Sequence, residues 1–295
     1  MKYDFFERRR LYALITCCYI AALLAIFVLI GNGGSIDTFM SEPKPEGKCV
    51  YIIMYHSILK DPSRTGKYVV TPDSLKSDIL YLKENGYTTV FVSELADYAN
   101  GKCDLPEKPV VLSFDDGYYN NCVYLLPILE SLDAKACIAI VGEYAQLYTD
   151  NQDRNPNYSH MAWSDISEAA ASGRVEIMGH SYCLHKSSPR LGANKKRGES
   201  YESYSKLLTF DTMKLQELVR SNCGLTVRTY AYPYGSYCKE SEAILKELGF
   251  SATLTCCERK NIITDASSLF ELGRFNRDGR LSTEEFMKGS VTTNG

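Results

Sequence analysis

The segment VVLSFDDGY, residues 110–118, is a short apolar run that ends in two aspartates and a glycine. Such a run predicts a strand, and the polar residues after it predict that the chain then enters a loop. Six further apolar runs of similar length follow residue 49, namely VYIIMY (50–55), TTVFV (88–92), ACIAIV (136–141), VEIM (175–178), RTYAY (228–232) and SATLT (251–255). We therefore expect seven strands in this part of the chain.

The segments between these strands have helical periodicity. LKSDILYLKENG (75–86) places apolar residues at helical spacing and ends in a glycine, which is a common helix stop. The segments 211–224 and 239–250 repeat the pattern, whereas the polar stretch 186–208 interrupts it and is expected to be a solvated loop. Strands that alternate with helices form parallel βα units, and this many of them predict an α/β fold closed into a (β/α) barrel.

The N-terminal region predicts a membrane anchor. Residues 11–30 carry no charge and follow a basic segment, residues 1–10. Twenty apolar residues in a helix are enough to cross about 30 Å of hydrocarbon, and the basic residues keep the N-terminus in the cytoplasm. We predict one transmembrane helix, a linker over 31–48 and a folded domain over 49–295 on the outer side of the cell membrane. A cleaved signal peptide is the alternative.

Composition and spacing restrict the possible partners. The net charge of −3 gives no indication of a nucleic-acid partner. The chain has 11 cysteines but no CxxC pair, which excludes a zinc ribbon and leaves any disulfide pairing undetermined. RFNRDGRLSTEEF (274–286) imitates a calcium loop, but Arg274 occupies the first position, where a carboxylate must bind. The pair Ser282 and Glu285 instead predicts a turn followed by a capped helix, so we expect no calcium.

Histidines and aspartates follow the predicted strands at the end where a barrel carries its chemistry. His56 follows the first strand, Asp115 and Asp116 follow VVLSF, and His180 and His185 follow VEIMG. Two adjacent aspartates at a strand end cannot both point the same way. One can therefore bind a metal while the other faces a water molecule.

The spacing of the two histidines indicates a loop. Five residues of α-helix turn about 500°, so His180 and His185 can converge only if the chain turns between them. Two imidazoles, one carboxylate and an open position suit a catalytic Zn²⁺ or a related divalent ion, with Asp116 as the third ligand. Cys183, between the histidines, is an alternative thiolate ligand, although a small buried side chain is its commoner role.

At these residues the sequence resembles the polysaccharide deacetylases of the NodB-homology type, carbohydrate esterase family 4. VLSFDDGY (111–118) is similar to the first motif of the family, GHSYCLH (179–185) to the second and, in part, AYPYG (231–235) to the third. The resemblance extends over roughly residues 49–280. It implies a distorted (β/α) barrel with a metal-dependent hydrolase site.

The sequence departs from the usual motifs in three places. One more residue than usual separates the two histidines, and Ala231 stands where the third motif normally begins with arginine. The late histidine motif of the family is missing, and MYH (54–56) looks like its replacement. Together these features resemble the permuted branch of the family, which includes poly-N-acetylglucosamine deacetylases.

The resemblance implies a role for each residue at the strand ends. Zn²⁺ is the expected metal, and its ligands are Asp116, His180 and His185. Asp115 is the general base that takes a proton from the attacking water. His56 protonates the departing amine, because an amide anion is a very poor leaving group. The alternative for His56 is a hydrogen-bonded core histidine.

Other residues are expected to support the substrate and the base. The backbone N–H of Tyr234 would stabilise the oxyanion. Pro233, Tyr234 and Trp163 are predicted to contact the sugar, since aromatic rings stack on sugar rings. Arg274 would hold Asp115 in place and supply the charge that is missing at Ala231.

The sequence thus predicts an N-deacetylase of an extracellular or cell-wall aminosugar polysaccharide. The glycan remains open among poly-N-acetylglucosamine, peptidoglycan and chitin-like oligomers. One alternative is an O-acetyl esterase acting on a xylan-like polysaccharide, which needs a leaving-group acid less. Another is a sugar-binding pseudoenzyme, which loss of a site residue would indicate. The predicted partners are an acetylated glycan and, through residues 11–30, the membrane.

Overall fold

A nine-stranded sheet organises residues 47–292, the part of the chain that the computed structural model describes. The strands are β1 (Lys48–Tyr55), β2 (Ser57–Ile58), β3 (Val69–Val70), β4 (Tyr87–Thr89), β5 (Lys108–Phe114), β6 (Ala136–Ile140), β7 (Val175–Gly179), β8 (Thr229–Ala231), β9 (Ala252–Leu254), β10 (Asn261–Ile263) and β11 (Phe275–Asn276). The sheet runs in the order β10-β1-β5-β6-β7-β8-β9, with β4 beside β5 and β11 beside β1. The short strands β2 and β3 pair separately.

Helices separate most of the strands. They are α1 (Pro72–Glu84), α2 (Val92–Ala99), α3 (Leu126–Ser131), α4 (Gly142–Asn151), α5 (Trp163–Ala171), α6 (Tyr201–Cys223), α7 (Lys239–Glu247) and α8 (Thr283–Met287). The ladders from β1 through β5, β6, β7 and β8 to β9 are all parallel. The α/β prediction is therefore confirmed, and the carboxyl ends of these strands meet at one edge.

Alternate residues of β1 enter two different apolar cores. Val50 and Ile52 pack with residues from β5 to β9, which places this core inside the curl of the sheet. Tyr51, Ile53 and Tyr55 pack in the second core, between the sheet and its helices. Burial on both faces explains why these strands read as continuous apolar runs rather than as alternating ones.

β11 and the residues just before it bridge β9 and β1. Leu272 pairs with Leu254 of β9, and Phe275 pairs with Ile53 of β1. The contact with β9 is a single bridge rather than a regular ladder. This curled sheet agrees with the distorted barrel that the resemblance implies.

Two predicted boundaries are wrong. The strand expected over 88–92 ends at Thr89, because Val92 begins α2. The first turn of that helix is capped by Glu94, whose carboxylate accepts the Phe91 N–H at 2.8 Å. The loop expected over 186–208 ends early, since Ser200 caps α6 and starts that helix at Tyr201.

The remaining sequence predictions have different outcomes. The anchor over 11–30, the tail over 1–10 and most of the linker lie outside the described residues. Within 47–292, no helix has the length and apolar character needed to span a membrane.

The nine cysteines of that range are all unpaired. The turn and capped helix predicted at Ser282 are confirmed, because the Ser282 N–H donates to the Glu285 carboxylate at 2.9 Å.

Candidate active site

One cavity collects the strand-end residues that the sequence singles out. His56 follows β1, Asp115 and Asp116 follow β5, and His180 and His185 follow β7. All five side chains line the same cavity, which has a volume of about 500 Å³. The parallel order of the strands brings these residues together, although they are far apart in the sequence.

The chain turns sharply in each of the three motif loops. Asp116, Ser181 and Tyr234 have left-handed backbone conformations, with φ values of 69°, 76° and 59°. Such a conformation costs a non-glycine residue about 1–3 kcal/mol and persists only where surrounding contacts hold it. At Asp116 the turn separates two adjacent carboxylates, so Asp115 and Asp116 meet different partners.

Asp116 and the two histidines form a compact group of metal-ligand type. Each offers one ligand atom, and the three atoms lie within 4.8 Å of one another. Oδ1 of Asp116 lies 3.0 Å from Nε2 of His185 and 3.6 Å from Nε2 of His180. Burial alone would raise the pKa of Asp116, but the neighbouring imidazoles of His185 and His180 lower it below its ordinary value. The group therefore presents a carboxylate at neutral pH.

The backbone fixes the orientation of the His180 ring. Nδ1 of His180 lies 2.7 Å from the Ala231 carbonyl oxygen, which can only accept a hydrogen bond. Nδ1 must therefore carry the proton, and the lone pair of Nε2 is left facing Asp116. This tautomer and the mixed N and O donors fit a divalent ion such as Zn²⁺. Cys183 lies outside the group, and burial together with Asp211 raises the pKa of its thiol to about 11.

Asp115 is held by an arginine from the segment directly before β11. Arg274 donates from Nη1 and Nη2 to the two carboxylate oxygens at 2.7 and 2.9 Å, and both side chains are buried. Nε of Arg274 donates to the Thr255 carbonyl at 2.8 Å. Although burial favours the neutral acid, the charge of Arg274 lowers the pKa of Asp115 below its ordinary value. Asp115 is therefore an oriented carboxylate that faces the cavity.

His56 has an unsatisfied polar atom inside the protein. Its Nδ1 is buried and has no hydrogen-bond partner among the described residues. Its ring lies against Tyr68, with 4.7 Å between ring centroids. Burial lowers the pKa of His56, and the charges of Asp115 and Asp116 offset this only in part. Nδ1 therefore makes none of the hydrogen bonds that the alternative, a hydrogen-bonded core histidine, would use.

The three residues predicted to contact the sugar differ in exposure and in distance from the cavity. Tyr234 is 47% exposed at the cavity rim, and its ring stacks on His185 at 4.7 Å. Pro233 is buried in the turn before it and does not line the cavity. The prediction for Trp163 is wrong, because this side chain is 3% exposed within the core under α5. Its indole N–H donates to Gln146 at 3.0 Å, since a buried indole needs an acceptor.

Two residues of the site were missed by sequence reasoning. Tyr118 lines the cavity, and burial together with Asp116 raises the pKa of its hydroxyl. His160 lies within the ring cluster of Tyr118 and Tyr144, and its Nδ1 is 2.8 Å from the Asp116 carbonyl oxygen. Tyr118 could have been found, since it directly follows the aspartates and glycine of its motif. His160 follows no strand, so the sequence carried no signal for it.

Comparisons with known proteins agree with this geometry. The family model described as polysaccharide deacetylase matches residues 102–253, slightly more than half of the chain. A poly-beta-1,6-N-acetyl-D-glucosamine N-deacetylase of Escherichia coli K12 is 25% identical over 270 residues, which cover 85% of this chain and 40% of that protein. The chain thus corresponds to well under two thirds of that relative.

Solved structures share the fold. A de-N-acetylase from Aggregatibacter actinomycetemcomitans aligns with a TM-score of 0.68 and 24% identity, covering 82% of this chain and all of that one. IcaB from Ammonifex degensii aligns with a TM-score of 0.66 and 22% identity, covering 85% of this chain and 99% of that one. At such identities the likeness concerns the fold alone.

Proposed function

Because this chain belongs to the polysaccharide deacetylase family, we propose that it is a metal-dependent hydrolase that removes N-acetyl groups from a polymer of N-acetylglucosamine. The observation that carries the proposal is the group of Asp116, His180 and His185 beside an Asp115 held by arginine, all in one cavity. The choice of N-acetylglucosamine polymer rests on the Escherichia coli K12 relative, which is named for that polymer and aligns with 85% of this chain.

The three clustered side chains would hold the metal, and the donor set favours Zn²⁺. When bound, such an ion polarises a carbonyl oxygen and lowers the pKa of a water molecule. The chain itself contributes the orientation of the ligands, through the His180 tautomer and the turn at Asp116.

Asp115 would act as the general base. The paired arginine keeps it ionised at neutral pH and fixes both of its oxygens, so it can receive the proton of the attacking water without reorientation. Arg274 performs this task from the segment beside β9, whereas Ala231 occupies the usual arginine position of the third motif. The proposed hydrolysis therefore uses the aspartate base expected from the first motif, with an arginine supplied from outside the third motif.

His56 would act as the acid for the leaving amine. Burial lowers its pKa, so the ring is neutral before the reaction. The proton that Asp115 takes from the attacking water would pass to His56 and then to the amine nitrogen as the C–N bond breaks. Its unpartnered Nδ1 and its place on the cavity wall support this role. Tyr234, stacked on His185 at the rim, would contact the sugar.

We expect the purified full-length chain to release acetate from poly-β-1,6-N-acetylglucosamine. Release should stop after treatment with a chelator and return when Zn²⁺ is restored, because the site has three protein ligands and needs the ion. The measurement is acetate released from this polymer, from peptidoglycan, from chitin oligomers and from acetylated xylan. Faster release from xylan would favour the O-acetyl esterase, and no release from any substrate would favour a sugar-binding protein.

We expect His56→Ala to reduce kcat/KM far more for an N-acetyl oligosaccharide than for an aryl acetate. A phenolate leaves readily without protonation, whereas an amine does not, and acid catalysis is worth roughly 10²–10⁴-fold for a poor leaving group. The measurement is kcat/KM for an N-acetyl oligosaccharide and for an aryl acetate. Equal losses on both substrates would remove His56 from the acid role. Tyr68→Phe, which keeps the ring against His56, is the control and should change neither value.

The location of the protein is part of the proposal. If residues 11–30 anchor the chain, the catalytic domain would face glycans outside the cell membrane. Cell fractionation with protease treatment of intact cells tests this. Full-length protein in the soluble cytoplasmic fraction would contradict it.

A further inference from the structure

The loop between the two histidines is held by a carboxylate from another element. Asp211 lies on α6 and is only 2% exposed. Its Oδ2 accepts the Tyr182 N–H at 2.8 Å, and its Oδ1 accepts the Cys183 N–H at 2.8 Å. Both oxygens of a buried carboxylate are thus directed at the backbone of this loop.

The opposite side of the loop is held by the start of α4. The Gly142 N–H donates to the Ser181 carbonyl at 3.1 Å, and the Glu143 N–H donates to the Tyr182 carbonyl at 2.8 Å. A Cβ at Gly142 would lie 2.9 Å from both the Tyr182 ring and Leu215, so a larger residue here would displace one of these side chains. Donors and acceptors of the loop are therefore satisfied by two separate helices.

This arrangement explains how the wide spacing of the histidines is accommodated. Ser181, directly after His180, has a φ of 76°, and its hydroxyl accepts the Leu184 N–H at 3.1 Å. A serine in this conformation is strained, so surrounding contacts must hold it. Without Asp211, the Tyr182 and Cys183 N–H groups would lose the acceptors that hold this conformation.

We propose that Asp211 is a positioning residue that sets the conformation of the 181–184 loop and thereby the affinity of the His180 and His185 pair for a divalent metal. This inference rests on the proposed function, since it assumes that the two histidines are ligands. Asp211 is not one of the three clustered residues and does not line the cavity. It acts through the backbone that joins the ligands.

The test is Asp211→Asn in the full-length chain. Asparagine keeps the shape, but its amide group would place a donor against one of the two N–H groups. Replacement of a group that orients metal ligands typically costs about 10–100-fold in affinity. We expect the Kd for Zn²⁺, measured by competition with a chromophoric chelator, to rise by about that factor. The absorption spectrum of the Co²⁺-substituted protein should change as well.

Asp165→Asn is the matched control. Asp165 is also a buried carboxylate, 4% exposed. It accepts the Ala162 backbone N–H at 2.9 Å and, unlike Asp211, forms an ion pair, with Arg154 at 2.8 Å. Its substitution should lower the urea midpoint of unfolding and leave the Kd for Zn²⁺ unchanged. An equal rise in Kd for both variants, or an unchanged Kd in Asp211→Asn, would overturn the inference.

Two further variants keep the result decisive. If Asp211→Asn does not fold, Asp211→Glu keeps the charge but displaces the carboxylate by one methylene, and the same loss of affinity is expected. An unchanged Kd in that variant would overturn the inference. If the unsubstituted protein binds Zn²⁺ no better than His185→Ala, the proposed metal site itself fails, whatever the role of Asp211.

Discussion

Asp115→Asn should reduce deacetylation by roughly 10²–10⁴-fold while the protein retains its metal. The amide cannot accept the proton of the attacking water, yet Asp115 is not one of the clustered ligands, so the Zn²⁺ content should not change. The measurements are kcat/KM for an N-acetyl oligosaccharide and the metal content by elemental analysis.

The substitution also leaves Arg274 unpaired. Both partners are buried, and removal of one member of a buried ion pair costs about 3–5 kcal/mol. A loss of activity must therefore be separated from a loss of folded protein. Asp78→Asn is a suitable control, because it leaves the equally buried Arg277 unpaired.

We expect both variants to unfold at lower urea concentration and only Asp115→Asn to lose catalysis at a temperature where both are folded. Comparable losses of kcat/KM in the two variants would mean that Asp115 acts on stability alone. A lower metal content in Asp115→Asn would place Asp115 among the ligands.

His185→Ala, His180→Ala and Asp116→Asn should each abolish both metal binding and acetate release. Three protein ligands leave no redundancy, so the loss of affinity should exceed the roughly 10–100-fold that is typical of outer partners. Elemental analysis and a Zn²⁺ competition titration measure the binding. His56→Ala is the control for metal binding alone, since it removes an imidazole from the same cavity without removing a proposed ligand.

An undiminished metal content in His185→Ala would contradict the proposed ligand set most directly. His185 is the more accessible of the two histidines, and Cys183 lies in the same loop. A thiolate could then be the true third ligand, although burial and Asp211 raise the pKa of Cys183 to about 11. The double variant with Cys183→Ser would decide between these two ligands.

The sequence by itself determined the order of strands and helices and the chemistry at the strand ends. Both depend on local patterns. An apolar run of strand length marks β5, and the two aspartates that follow it must lie at its carboxyl end. Parallel strands place these ends at one edge, so the sequence alone predicts that Asp116 and His180 lie close together.

The tertiary structure decided how distant side chains support that chemistry, although the family resemblance had already suggested Arg274 as the partner of Asp115. Arg274 meets Asp115 across 159 positions of sequence, and Asp211 reaches the histidine loop from a helix about 28 positions away. No local periodicity encodes such contacts. Packing also decided against Trp163. As an aromatic residue it was predicted to contact the sugar, but it is buried in the core. The physical reason is that composition and spacing fix a residue's place along an element, whereas its partners depend on how distant elements pack.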